Sequence, residues 1–392
     1  MIHNKLTYIS LFSSAGVGCY GFKQEDYECI VTNEILAKRL NIQRINEKCK
    51  YDSGYIQGDI REEETKSKIF AEIKKWHNKG NDKVDVVIAT PPCQGMSIAN
   101  RKRNEKDLQR NSLIVESVEI IKQIKPRIFI FENVATFWKT SCISNDCKKL
   151  EIGEMIKKEL NTDYLISNRI INFKDYGSKS SRKRTLVIGV NKKLVARKAV
   201  VPWQLYPDYQ KPQCLGDVIG DMPSLNWGEY DPHDFFHSFR TYHQNMRAWI
   251  SDLKEGESAF DNTDPQKIPH HIKNGKIVFN KKILSNKYTR QRYDQVAACV
   301  HTRNDQLSSQ NTIHPKDDRV FSIRELMRLM TIPDDFKWLD IPLKDLNTLS
   351  LEKKQKLSKK VELTIRQSIG EAVPTIIFRQ IAQKIKKAIL FT

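Results

Sequence analysis

The sequence predicts a doubly wound α/β domain followed by a second, smaller and basic domain, and three observations carry that reading. Short apolar runs alternate with amphipathic stretches through the first half of the chain, the pattern of a parallel sheet with crossover helices. Several of these runs end in small residues, prolines or carboxylates, as strands do where a doubly wound sheet presents its ligand-binding edge. Past residue 191 the texture changes to short irregular pieces rich in proline and aromatics, among them Pro202-Trp203, Tyr206-Pro207, Met222-Pro223 and Asp231-Pro232.

Strands are expected at 6–12, 29–32, 55–57, 84–89, 127–131, 165–172 and 185–190. A helix is expected over 62–79, where Ile69, Phe70, Ile73 and Trp76 form one face and Gly80 supplies a stop. Helical periodicity returns at 322–330 and over 363–390, with a Lys-rich stretch at 345–360 between them.

Lys+Arg number 66 against 47 Asp+Glu, a net charge of +19 that points to a polyanionic partner, nucleic acid foremost. With 39% apolar and 29% charged residues in 392, the chain is neither collagen-like nor an acidic disordered protein. No apolar run approaches the roughly 18 residues of a membrane span, and no signal-peptide pattern precedes the first strand, so neither membrane association nor export is expected. The eight cysteines, Cys19, Cys29, Cys49, Cys93, Cys142, Cys147, Cys214 and Cys299, contain no CxxC pair. That argues against a disulfide framework or a zinc site and fits a reducing compartment.

The chemistry-bearing residues gather at strand ends. Leu11-Phe12-Ser13-Ser14-Ala15-Gly16-Val17-Gly18 closes the first strand in small residues that let backbone amides approach a ligand, although close packing alone also selects glycine there. Glu34 and Asp59 follow the second and third strands, where such a sheet offers carboxylates to a ribose and a base; a solvated helix start is the plainer use of both. The segment 84–95 runs from a buried strand into Thr90-Pro91-Pro92-Cys93-Gln94-Gly95. Two prolines hold the backbone extended and deliver Cys93 at the sheet edge, a candidate nucleophile, although a cysteine taken alone is more often a small core residue. A basic stretch follows with Arg101, Lys102, Arg103, Lys106 and Arg110, which reads as a lid over an anionic ligand or as a solvated loop. On a neighbouring strand, Phe131-Glu132-Asn133-Val134 would set a carboxyl group beside Cys93.

Together these blocks resemble the DNA (cytosine-5)-methyltransferases of bacterial restriction–modification systems. The resemblance rests on residues 11–16 with Gly21-Phe22, on Pro92-Cys93-Gln94 and on Glu132-Asn133-Val134. Further on it rests on Ser180-Ser181-Arg182-Lys183-Arg184, on 319–329 with its Arg-Glu-Leu, and on Gln367-Ser368-Ile369-Gly370-Glu371-Ala372-Val373-Pro374, in the family's order. Three residues depart from the family pattern: Ser14 for a frequent glycine, Ser180 for glutamine and Glu371 for asparagine.

The resemblance implies a Rossmann-like S-adenosylmethionine-dependent methyltransferase domain with a target-recognition domain. The expected division is a catalytic domain over 1–191, target recognition over 192–318, a family helix and hinge over 319–360, and a segment over 361–392 that rejoins the catalytic domain. Cys93, Glu132, Arg182 and Arg184 are the implied catalytic residues. Phe12, Ser13, Ala15, Gly16, Glu34, Asp59, Pro92, Leu113, Glu371 and Ala372 would hold the cofactor, and Gln94, Arg101, Arg103, Lys281, Lys282, Arg290 and Arg292 the DNA. A thiolate added at C6 of cytosine makes C5 nucleophilic toward the methyl sulfonium, and Glu132 can serve N3 if burial raises its pKa. Arg184 would hold O2 of the base and Arg182 the strand or lid. The base must be flipped out of the duplex at a cost of roughly a few kcal/mol. A cognate restriction endonuclease is an expected functional partner without a stable complex, and the enzyme is expected to act as a cytoplasmic, nucleoid-associated monomer.

Two rival readings stay open: an RNA-directed member acting on transfer RNA, and a DNA-binding regulator without turnover. The long aromatic-rich variable region favours DNA, and intact Cys93 and Glu132 favour an enzyme.

Residues 270–293 carry Lys273, Lys276, Lys281, Lys282, Lys287, Arg290 and Arg292 with no Asp or Glu, which suits phosphate contacts. Replacing Lys281 and Lys282 by Ala is therefore expected to weaken binding to all DNA sequences alike and to flatten the slope of log affinity against log salt. Filter binding across a salt series checks this; a changed sequence preference at constant slope would assign these lysines to base reading.

Overall fold

A computed structural model describes residues 5–79, 83–92, 111–197, 200–280 and 286–390. The chain divides into two units, one made of Met1–Tyr176, Lys183–Tyr209 and Val373–Thr392, the other of Gly177–Arg182 and Gln210–Ala372.

The first unit contains strands β1 (Thr7–Leu11), β2 (Glu28–Glu34), β3 (Tyr55–Gln57), β4 (Val86–Ala89) and β5 (Ile128–Val134). A small ribbon of β6 (Ser141–Ile143) and β7 (Lys149–Glu151) follows, then β8 (Tyr164–Asn172) and β9 (Lys183–Asn191). Seven of these form one sheet in the order β3-β2-β1-β4-β5-β9-β8. β1 to β5 pair in parallel, and β9 runs antiparallel to both β5 and β8. Each apolar run expected to be a strand is one, with ends shifted by a few residues.

Successive residues alternate between two buried faces. Ile9, Leu11, Val87, Ala89, Phe129 and Phe131 point to one side, and Tyr8, Val86, Ile88, Ile128 and Ile130 to the other. Helices Glu63–His77, Leu113–Ile124 and Ile152–Leu160 cover the first side through Ile69, Ile73, Trp76, Val118, Ile121, Met155 and Ile156. The second side is covered by Tyr20–Gln24 through Phe22 and by Thr375–Leu390 through Ile377, Phe378, Ile381 and Ile385. Each fully buried aliphatic or aromatic side chain contributes about 1.5–3 kcal/mol, so coverage of both faces is the main source of the unit's stability. Gly80, the expected stop of the 62–79 helix, lies outside the described residues; the helix itself spans Glu63–His77.

The periodicity at 363–390 resolves into two helices, Leu351–Glu371 and Thr375–Leu390, with Ala372 extended between them. Pro374 accounts for the break, because the residue before a proline is pushed out of the helical region. The C-terminal helix lies close against Tyr20–Gln24: a Cβ on Gly21 would sit 2.5 Å from the Arg379 backbone nitrogen, so only glycine permits this approach.

The second unit has a core of Phe239, Trp249, Ile250, Tyr288, Leu307, Ile313 and Val320. Its hairpin of β10 (His270–Lys273) and β11 (Lys276–Phe279) was not anticipated by the irregular texture of the sequence. Helix Ile323–Leu329 opens with a capping box in which the Ser322 side chain accepts from the Glu325 amide and Glu325 accepts from the Ser322 amide. Fully buried Arg319 donates to both oxygens of Glu325, at 2.7 and 2.8 Å, and to Asp317 at 2.9 Å.

Burial alone would raise the Glu325 carboxyl, but the Arg319 contacts outweigh it and hold the group at about 2. Beside it, His314 Nδ1 accepts from the amides of Lys316 and Asp317, and burial pushes this imidazole down to about 4. Both folded-state values lie below the unfolded ones, so the unfolded chain binds more protons as pH falls and stability is lost in that direction. For His314 the window runs from about 6.5 down to 4, and for Glu325 from about 4.5 down to 2. The melting temperature is expected to be level near pH 7 and to fall below about 6.5, with a loss of about 3 kcal/mol from His314 alone by pH 4. His314→Asn, which keeps an acceptor for the two amides but does not titrate, should remove the upper part of this slope in thermal melts taken across pH.

Candidate functional site

Strand order reverses between β1 and β4, which are neighbours in the sheet although β2 and β3 lie between them in the chain. At such a switch point the loops after the two strands diverge and leave a crevice at their carboxyl ends. The residues singled out at the ends of β1, β2, β3 and β4 gather along this edge.

After β1 the backbone turns left-handed at alternate residues: Phe12 at φ 56°, Ser14 at φ 45° and Gly16 at φ 80°. The Gln43 amide holds this loop from below, donating to the Ser14 carbonyl at 2.6 Å and the Ser13 hydroxyl at 2.8 Å while accepting from Thr32. Ser13 is tied to β2 by its amide and hydroxyl, both donating to the Asn33 carbonyl. Ala15 is buried. Glu34, at the end of β2, accepts from the Ser14 amide at 2.8 Å and the Leu36 amide at 3.1 Å, which fixes its carboxylate beside the loop. Gln43 and the buried Lys48, which donates to Thr32, escaped the sequence reading because their contacts arise only from folding.

Beyond β3, Ile35, Tyr55, Ile56, Gln57, Gly58 and Asp59 line a cleft of about 660 Å³. Ile35 is exposed there, an apolar wall that the sequence signalled only as a hydrophobe following a carboxylate. Asp59 is bound by Arg61, whose Nε donates at 3.0 Å, and this guanidinium holds the carboxyl below its usual range. The left-handed cradle with Glu34 fixed beside it, and the exposed Ile35 with Asp59 on the cleft beyond β3, are groups that suit an adenosyl moiety, with its ribose hydroxyls, flat ring and exocyclic amine. Leu113, at the start of its helix, packs partly buried against the same core as Phe12.

β4 leads into Thr90-Pro91-Pro92. Thr90 Oγ1 donates to the Phe12 carbonyl at 3.0 Å, and Asn133 Nδ2, at the end of β5, donates to the Pro91 carbonyl at 2.9 Å. Asn133 Oδ1 meanwhile accepts from the Val134 amide, so a single amide side chain locks the proline turn to the adjacent strand. Pro92 is exposed. Cys93, Gln94, Arg101 and Arg103 lie outside the described residues, as do Lys281 and Lys282. Glu132, buried on β5, has its Oε1 3.2 Å from Arg184 Nε, and the register setting Val134 opposite Arg184 puts both on one face.

Other expected site residues belong to the second unit. Arg182 is buried in the second unit, donating to the carbonyls of Val300 and Gly370 at 3.0 Å and reaching that of Glu371 at 3.5 Å. It braces the end of helix Leu351–Glu371, and its neighbour Ser180 is likewise buried. Glu371 is exposed and Ala372 buried at that helix end. Arg290 corrects the sequence reading. Its guanidinium is inside the second unit, donating to the carbonyls of His314, Asp317 and Ile250 and to Asp318 Oδ1, with no route to a phosphate. Arg292 is exposed and paired with Asp294. Among the described residues no group of three or more His, Cys, Asp or Glu could hold a metal ion.

Residues 6–387 match the profile of the family described as C-5 cytosine-specific DNA methylase. The chain is 31% identical over 391 residues to the type II methyltransferase M1.HgaI of Avibacterium volantium, spanning 96% of this chain and 97% of that one. It is 26% identical over 385 residues to the type II methyltransferase M1.HphI of Haemophilus parahaemolyticus, spanning 97% and 87%. In fold it is similar to an E. coli protein described as a DNA modification methyltransferase encoded within a prophage, with a TM-score of 0.64 at 18% identity covering 98% of this chain and 100% of that one.

The Asn133 clamp generates a prediction. Asn133→Ala leaves the buried Pro91 carbonyl without its donor, which should cost about 1–3 kcal/mol of stability. It should also lower kcat by roughly 10- to 100-fold, because the proline turn that leads to residue 93 loses its clamp to β5. Thermal melts and steady-state kinetics on one preparation check both parts.

Proposed function

This chain belongs to the C-5 cytosine-specific DNA methylase family, and from that premise we propose how its residues carry out the reaction. It is a DNA (cytosine-5)-methyltransferase of the type II restriction–modification kind. In our reading Cys93, delivered by the clamped Pro91-Pro92 turn, adds as a thiolate to C6 of a cytosine flipped out of the duplex. Charge then develops through N3 and the exocyclic amine. Glu132 holds a proton at N3 and accepts from the amine, while Arg184 orients that carboxyl and holds O2. Arg182 is a positioning residue that braces the helix end carrying Glu371 and Ala372.

S-adenosylmethionine supplies an electrophilic methyl group when bound. Phe12, Ser13, Ala15, Gly16, Glu34, Asp59, Pro92, Leu113, Glu371 and Ala372 would hold it, with Glu34 toward the ribose and Asp59 toward the base. Gln94, Arg101, Arg103, Lys281, Lys282 and Arg292 face the DNA. We assign catalysis to 1–191, target recognition to 192–318, a family helix and hinge to 319–360, and to 361–392 the return to the catalytic domain. The enzyme acts as a monomer on nucleoid DNA in the cytoplasm and protects it from a cognate endonuclease. Among the described residues no helix is long and apolar enough to cross a membrane.

The observation that carries this reading is the end of β5, where Glu132 meets Arg184 at 3.2 Å and the next residue, Asn133, holds the Pro91 carbonyl. A buried carboxyl paired with an arginine next to a clamped proline turn supports that reading. It is tested by a trap. After methyl transfer the C5 proton must leave before Cys93 can depart by β-elimination, and fluorine at C5 cannot leave. A target duplex carrying 5-fluorocytosine, with S-adenosylmethionine, is expected to yield a cofactor-dependent adduct that survives denaturing electrophoresis and maps by mass spectrometry to the Cys93 peptide. Cys93→Ala should give no adduct and no turnover yet retain DNA binding. A denaturation-sensitive complex on a duplex whose unfluorinated form is methylated would overturn the covalent mechanism.

A further inference from the structure

The β10–β11 ribbon carries apolar side chains into solvent. Pairing sets Ile272 opposite Ile277 and His270 opposite Phe279 on one face, and His271 opposite Val278 and Lys273 opposite Lys276 on the other. Ile272 is 68% exposed, and Ile277 and Phe279 are 48% exposed each. Asn274 at φ 50° and Gly275 at φ 70° close the tip as a two-residue turn, and a Cβ on Gly275 would meet nothing within 4 Å. The base is anchored. The His270 ring lies 5.5 Å from that of Trp249, a member of the second unit's buried core, and the Asn280 amide donates to the Pro269 carbonyl at 2.9 Å.

Each of these features is unfavourable in the free protein. A two-stranded ribbon is marginal by itself, exposed isoleucines leave apolar area in water, and like charges placed directly opposite repel. The major groove of duplex DNA relieves all three. It is about 12 Å wide and admits a two-stranded ribbon, whose strands lie about 4.8 Å apart and whose four-residue arms reach about 13 Å. No Asp or Glu occurs between Asp264 and Asp294, so the charge around the patch is complementary to phosphate throughout. The long stems of Lys273 and Lys276 reach the walls of the groove, and an isoleucine pair meets the apolar group its floor offers, the C5 methyl of thymine.

We propose that the β10–β11 ribbon is the base-reading element of this enzyme, with Ile272 and Ile277 reading thymine methyl groups in the target sequence and Lys273 and Lys276 holding the adjoining phosphates. The proposal rests on the DNA methyltransferase reading and deepens it: the recognition sequence contains at least one A·T pair.

The test uses the full chain in a host without cytosine methylation. Mapping 5-methylcytosine across the host's DNA returns the recognition sequence, and duplexes are then made with each of its thymines replaced singly by uracil, which lacks the methyl. For the unaltered enzyme, kcat/KM is expected to fall at least fivefold for one or more replacements. For Ile272→Ala/Ile277→Ala it should already be lowered on the thymine duplex and change less than twofold on uracil. Should that variant lose all activity, Ile272→Ala alone, at the most exposed position, carries the same comparison. Lys273→Gln/Lys276→Gln should reduce the salt slope by about 2. The inference is overturned by a recognition sequence without thymine, by equal uracil penalties in enzyme and variant, by an unchanged salt slope, or by sedimentation showing that the ribbon mediates self-association. Absence of 5-methylcytosine from the DNA would sink the function itself, whereas methylation indifferent to the ribbon variants sinks this inference alone.

Discussion

A parallel sheet can leave neither face to water, and the rest of the first unit follows from that constraint. Residues such as Tyr8 and Ile9, or Ile128 and Phe129, alternate between two dry interfaces, so helices must be recruited to both. One face is closed by helices that lie between the strands in sequence. The other borrows Thr375–Leu390 from the far end of the chain, and Gly21 permits the close contact. With both faces sealed, the carboxyl edge is where polar and reactive groups can emerge, and the reversal between β1 and β4 opens it.

That edge carries strain. Each non-glycine residue held left-handed costs about 1–2 kcal/mol, and the turn after β1 holds two, Phe12 and Ser14. The Glu34 carboxylate and the Gln43 amide offset this by binding Ser14 through its amide and carbonyl respectively. Ser14 is thereby tolerated at a left-handed position that favours glycine, and the carboxylate suited to a ribose also keeps the loop in shape. Asn133 works in the same manner on the next turn, satisfying the Pro91 carbonyl and its own neighbour's amide at once.

The strands of the first unit were legible because a doubly buried strand is a short apolar run bounded by turn residues, and β3 falls on 55–57 as read. Glu34, Asp59 and Glu132 were legible as carboxylates at strand ends. Depth was not legible. Arg290 and Arg292 look alike in a basic segment, yet one is enclosed by carbonyls and the other exposed beside Asp294, a difference that only tertiary packing decides. Arg182 is likewise held by backbone carbonyls, a setting that its place in a basic cluster does not reveal. The β10–β11 ribbon did have a local signal, Asn274-Gly275 between apolar residues, but a reading by charge treated the segment as a phosphate-binding stretch and passed over the turn.

The discontinuity of the first unit also bears on biosynthesis. A ribosome translating this message makes all seven strands of the sheet, then the whole of 210–372, before it supplies Thr375–Leu390. Until then Tyr8, Ile88, Ile130 and Ile188 face a layer that is only partly made. The nascent sheet therefore waits half-covered through the synthesis of an entire second unit, and a chain released early would expose that apolar face. Native structure in the first unit, and the activity that depends on it, arrives only with the last helix, so a prematurely terminated product is a substrate for chaperones and proteases rather than a partial enzyme.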